Sequence, residues 1–260
     1  MAIVRSALRQ ADRAVSVSIL GGLAILAVLA WLITIWQARA AGTLMNAGVP
    51  MSLEMGGSPG LSSAALFLVI WAVMMAAMMF PSVWPVLLIY AGVVRTRGRG
   101  SVPLFVAGYL LVWESLGVLA YAGYIGAGVG LASAPVERVA LLTGALVLAA
   151  GLYQLTPLKR ACLAHCQGPV EFLAAHWRPG PAGALRMGLS HGLYCLGCCW
   201  GLMLALFALG VMDLRWMATV SALIAFEKLG PRHRLVPAAV GTGLVCLGIV
   251  IAFWPRSGIA

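Results

Sequence analysis

Acidic side chains are nearly missing from this chain: Asp and Glu together number seven in 260 residues, and all charged residues amount to 9%. A soluble domain carries about 25% charge, so this chain has too little to cover a water-facing surface. Hydrophobic residues make up 62% of the sequence, which identifies a polytopic membrane protein, all-α because helices satisfy their own backbone in lipid. Arginine-rich patches interleaved with stacking aromatics are also missing, and nucleic acid is excluded as a partner. There is no nucleophile elbow, phosphate-binding glycine loop, zinc-protease helix or haem-attachment motif, so no enzyme class is indicated. The six cysteines do not form the spaced framework of a secreted disulfide protein. Five of them fall between Cys162 and Cys199 at short helical spacings, which favours metal or redox chemistry.

The hydrophobic runs predict a single membrane domain of about seven spans. They lie near 16–36, 62–94, 103–127, 139–155, 188–210, 214–226 and 236–254, with a polar Cys/His connection over 156–187. The first run is longer than a signal-peptide core, so a retained helix is expected despite Ala38-Arg39-Ala40. Basic residues orient the bundle. With the N-terminus inside, Arg5, Arg9, Arg13, Arg95, Arg97, Arg99, Lys159, Arg160, Arg178, Arg186, Lys228, Arg232 and Arg234 are cytoplasmic, leaving Arg39, Arg138, Arg215 and Arg256 outside. That bias predicts a cytoplasmic N-terminus and an external C-terminus, and it explains the net charge of +10 with lipid headgroups as the only anionic partner. If 214–226 does not cross, the C-terminal end inverts.

The richest stretch is GLSHGLYCLGCCWGLM, Gly188 to Met203. On a helix, His191, Cys195, Cys198 and Cys199 fall at i, i+4, i+7 and i+8 and share one face. Cys162, His165 and Cys166, at i, i+3 and i+4, would be presented together by one turn bounded by Pro157 and Pro169. Before Pro81, Met74 pairs with Met78 and Met75 with Met79, grouping thioethers near mid-membrane on a helix that two prolines should kink. Met45, Met51 and Met55 stand beside Glu54 in the first external loop. Thiolate, thioether and imidazole suit Cu(I) first, zinc second and an iron–sulfur cluster third; methionine supports copper and does nothing for zinc.

Plainer roles compete for each of these residues. Methionines are adaptable packing residues, and Gly188/Gly192 and Gly197/Gly201 at four-residue spacing suit close helix packing. Cys246 reads as a small hydrophobe, and His176 and His233 as solvated loop residues. Glu114, the one acid deep in a span, is a possible proton or hydrogen-bond site. The Cys195-x-x-Cys198 spacing resembles a thiol oxidoreductase motif.

The strings YQLTPLKRACLAHCQGPVEF (Tyr153 to Phe172), GLSHGLYCLGCCWGLM, GVMDLRWMA (Gly210 to Ala218), the Glu227-Lys228 pair and MMAAMMFP resemble a bacterial family of unknown function described as predicted metal-binding integral membrane proteins. The likeness runs from about Ala65 to Lys228 and implies a bacterial inner-membrane protein. In it Cys162, His165, Cys166, His191, Cys195, Cys198 and Cys199 match the motifs that suggested metal binding. With the soft-ligand inventory, the expectation is a membrane protein handling Cu(I), by transport or by delivery to a membrane cuproenzyme as partner. The alternatives are an accessory subunit of a larger membrane complex and, more weakly, a membrane thiol-redox protein.

Overall fold

The computed structural model describes residues 13–46, 61–94, 101–131, 135–210, 213–230 and 235–253. Among them the chain is all-helical: α1 Arg13–Asn46, α2 Leu61–Val94, α3 Ser101–Leu131, α4 Val136–Gln154, α5 Pro157–Gln167, α6 Pro169–His176, α7 Gly180–Leu209, α8 Leu214–Leu229 and α9 Leu235–Phe253. The expected roles of Met51, Met55 and Glu54, of His233, and of Arg5, Arg9, Arg95, Arg97, Arg99, Arg232, Arg234 and Arg256 fall outside the described residues.

Four described helices, α2, α3, α7 and α9, contain segments long and apolar enough to cross a membrane, and a fifth span results if α4 and α5, bent by 64° at their junction, count as one. The apolar part of α1, Ala24–Arg39, and the 16-residue α8 are shorter. Polarity is arranged as a membrane demands. Large apolar side chains such as Leu26, Leu29, Leu32, Leu142, Leu146 and Val250 are exposed, whereas Gln154, Lys159, His191, Glu227 and Lys228 are buried.

The connection over 156–187 is more helical than its polarity suggested. The Thr156 hydroxyl accepts from the Lys159 amide at 3.2 Å and caps α5, whose first residue is Pro157. α6 also starts on a proline, Pro169, though its N-cap Gly168 offers no side-chain cap, and α7 begins at Gly180, about two turns ahead of Gly188. Pro81 and Pro85 both lie inside the continuous α2. Gly210, at φ 120°, closes α7 in a conformation that side chains resist, and Asp213 caps α8.

Two compact units emerge from the described residues: one within Met1–Tyr121 and His165–Leu196, the other within Ala122–Ala164 and Gly197–Ala260. In the first, α2 packs on α1 and α6. The Trp71 indole donates to the Trp113 carbonyl at 2.9 Å, pinning α2 to α3. Gly188 of α7 closes onto the backbone of Phe105 on α3, and Gly192 onto the Val112 side chain and the Tyr109 carbonyl, so their spacing serves close helix approach. In the second unit α4 and α9 meet through Gly144, Gly151, Gly241 and Gly248; a side-chain carbon at Gly248 would lie 2.6 Å from the Leu148 amide.

Candidate metal centre

In the second unit a soft cluster forms around Cys162. Gly197 of α7 faces Cys162 of α5 so closely that a side-chain carbon at Gly197 would lie 2.6 Å from the Cys162 sulfur. Glycine is what lets the thiol approach the α7 backbone beside Cys198. The Cys162 thiol is an electrostatic neighbour of Cys198 and of the Lys159 ammonium. Tyr153 stands over this group: its hydroxyl donates to the Gly197 carbonyl, its ring packs on Trp200 with centroids 4.5 Å apart, and Cys162, Cys198 and Cys199 are its electrostatic neighbours. Cys198 and Cys199 are each 1% exposed, whereas Cys162 is half-buried.

Beneath these thiols lies a buried polar triad. Lys159 Nζ pairs with Glu227 Oε2 at 2.5 Å, and the Gln154 amide donates to Glu227 Oε1 at 2.9 Å. Both charged side chains are all but sealed from solvent, at 0% and 2% exposure. Pairing and hydrogen bonding are what make such burial tolerable. Glu227 is also an electrostatic neighbour of Cys198, which ties the triad to the thiols.

The first unit holds the remaining candidates. His191 is buried and ringed by Phe172, Tyr109 and Phe105, with centroids at 4.9, 6.0 and 6.1 Å. One turn further along α7, the Cys195 sulfur lies 3.1 Å from the Tyr109 hydroxyl, so Tyr109 serves both His191 and Cys195. His165 stacks flat on Tyr194, with centroids 4.1 Å apart and planes 2° from parallel. Cys166 is buried. Met74, Met75, Met78 and Met79 are all buried on α2 ahead of Pro81. Glu114 is half-buried on α3; among the described residues neither its Oε1 nor the Trp113 indole nitrogen has a hydrogen-bond partner. Cys246 is exposed on α9.

The turn CLAHC therefore diverges: Cys162 faces Gly197, while His165 faces Tyr194. All six cysteines are thiols. Among the described residues no group of three or more His, Cys, Asp or Glu side chains closes around a metal-sized space. Residues that carry the geometry but did not stand out in the sequence are Tyr109, Tyr153, Gln154, Lys159, His176, Tyr194 and Glu227. For Lys159 and Glu227 a signal existed, since each lies within the strings that carry the family resemblance. Tyr153 and Tyr194 stand in those strings too, where an aromatic in an apolar run draws no notice.

Among the described residues, helices long and apolar enough to cross a membrane, with thiols of α5 and α7 brought together beside a buried ion pair, are the class that this fold and site define. The chain matches the PpoB2 family, described as a copper chaperone, over residues 68–251, and it belongs to that family. This gives it a copper-related role. No curated protein and no solved structure matches the chain.

Proposed function

We propose that this protein binds Cu(I) within the membrane and delivers it to a membrane cuproenzyme or moves it across the bilayer. The observation that carries the reading is the approach of Cys162 to Gly197 beside buried Cys198, within the span of the family match. Two thiolates are a complete donor set for two-coordinate Cu(I) and only half of a closed tetrahedral zinc site. Cys199, next in sequence and an electrostatic neighbour of Tyr153, is a further buried sulfur close by. A bis-thiolate Cu(I) complex carries one net negative charge, and it would stand beside the Lys159–Glu227 pair, whose two charges already match each other.

In this reading the chain spans a bacterial inner membrane about seven times with its N-terminus in the cytoplasm. Met74, Met75, Met78 and Met79 offer weaker thioether holding points, and Cys166, His191 and Cys195 are further soft donors in the first unit. Glu114 is the candidate proton or hydrogen-bond partner. The test is the copper and zinc content of protein purified in detergent from copper-supplemented cells, beside a Cys162→Ser/Cys198→Ser/Cys199→Ser variant. Copper that is present in the native protein and lost from the variant supports the proposal. Equal copper in both, or zinc in place of copper, overturns it.

A further inference from the structure

Three of the chain's four histidines, His165, His176 and His191, converge on the same two rings, Phe172 and Tyr194. They come from three different helices, α5, α6 and α7. His191 is sealed off. His165 and His176 are only half-buried.

The His165 and His176 rings have centroids 6.4 Å apart and planes inclined at 73°. An imidazole nitrogen binds a transition metal at about 2.0–2.1 Å and sits roughly 1.1–1.2 Å from its ring centre, so two imidazoles on one ion have centroids at most about 6.4 Å apart. The observed spacing stands at the outer edge of that span. An approach of about 1 Å, by His165 sliding over the Tyr194 face, reaches a bent two-nitrogen arrangement.

The protonation pattern of His176 points the same way. Its Nδ1 lies 3.1 Å from the Phe172 carbonyl oxygen. A carbonyl only accepts, so Nδ1 carries the proton and in the neutral ring the lone pair is on Nε2. A backbone carbonyl on the far nitrogen is the usual arrangement behind a metal-binding imidazole. The rings are also held in place. His176 stacks on Phe172 with centroids 4.7 Å apart, and its edge meets Tyr194 at 5.6 Å. Holding the rings in this way reduces the ordering cost of binding.

We infer that His165 and His176 form a two-imidazole docking site for a borderline transition-metal ion, with Cu(II) the strongest binder by the usual affinity order. Two protein donors leave coordination positions open, which suits an ion being passed on rather than kept. The site uses nitrogen donors in the first unit and does not rest on the thiol pair, so either can fail alone.

The test uses the full-length, untagged protein in detergent with its reactive thiols alkylated, titrated with Cu(II) and followed by electron paramagnetic resonance. The expected result is about one bound ion with two coupled nitrogens, and about tenfold or more weaker binding in His165→Phe and in His176→Phe. Phenylalanine keeps a flat ring in each stack; should His176→Phe not fold, His176→Gln takes its place. A His233→Ala control should leave binding unchanged. Absence of Cu(II) binding in the alkylated native protein, or an unchanged two-nitrogen signal in both phenylalanine variants, would overturn the inference.

Discussion

Lys159 Nζ and Glu227 Oε2 meet at 2.5 Å in a place that solvent does not reach, though 68 residues separate them. Removing one partner leaves the other charge stranded, at a cost of about 3–5 kcal/mol, whereas replacing both by apolar residues of similar size is close to neutral. Lys159→Met should therefore lower the unfolding midpoint in detergent sharply, and Lys159→Met/Glu227→Leu should recover most of the loss. A double variant as unstable as the single would show that the pair does more than offset its own burial.

Gly197 permits the approach of Cys162. In Gly197→Ala the added carbon would fall 2.6 Å from the sulfur, and the group that must give way is a thiol on one torsion. The fold should survive at a cost of about 1 kcal/mol, the low end for overpacking, while Cys162 swings away from Cys198. Maleimide labelling checks this: Cys162 should react faster in the variant than in the native protein.

The 3.1 Å contact of Tyr109 with Cys195 is buried on both sides. Tyr109→Phe keeps the ring against His191 and deletes only the hydroxyl. A loss of about 1 kcal/mol is expected, read by thermal unfolding in detergent, with helix content unchanged.

Asp213 caps α8 by accepting from the Arg215 amide at 2.8 Å, and that backbone hydrogen bond, ahead of the nearby Arg215 side chain, holds its carboxyl below the usual range. A depressed pKa in the folded state means that the stabilisation is complete above the unfolded value of about 3.9 and fades as the pH falls through the folded one. The stability gap between the native protein and Asp213→Ala should be constant near neutral pH and shrink below about pH 4. A gap that widens on acidification would reverse this sign.

That the described chain is helical, with several helices long and apolar enough to cross a membrane, was legible because long apolar runs admit little else there; the helices over 157–176 were not. The pairings were not. Cys162 and Cys198 sit on separate helices 36 positions apart in the sequence, and no spacing rule says that Gly197 opens the way between them. Hydropathy treats charge as a marker of loops, so Lys159 was counted with the cytoplasmic basic residues and Glu227 as the end of a span, although they are buried against each other. His176 reads as a solvated loop residue because Arg178, Pro179 and Gly180 follow it, yet it closes α6 and its ring stacks on Phe172 one turn back. The soft stripe on α7 was visible from its helical spacing, but the structure divides its neighbours, with Tyr109 beside Cys195 and Tyr153 beside Cys198 and Cys199.

The central claim is that Cys162 and Cys198 hold one Cu(I) together, and it is tested most directly by titrating Cu(I) against a coloured Cu(I) chelator. The native protein, Cys162→Ser, Cys198→Ser and the double variant are compared under anaerobic, reducing conditions. Two ligands of one ion act as a unit, so each single variant should lose the tight site as completely as the double does. Single variants that each keep half of the affinity loss, so that the losses simply add, would contradict the shared site.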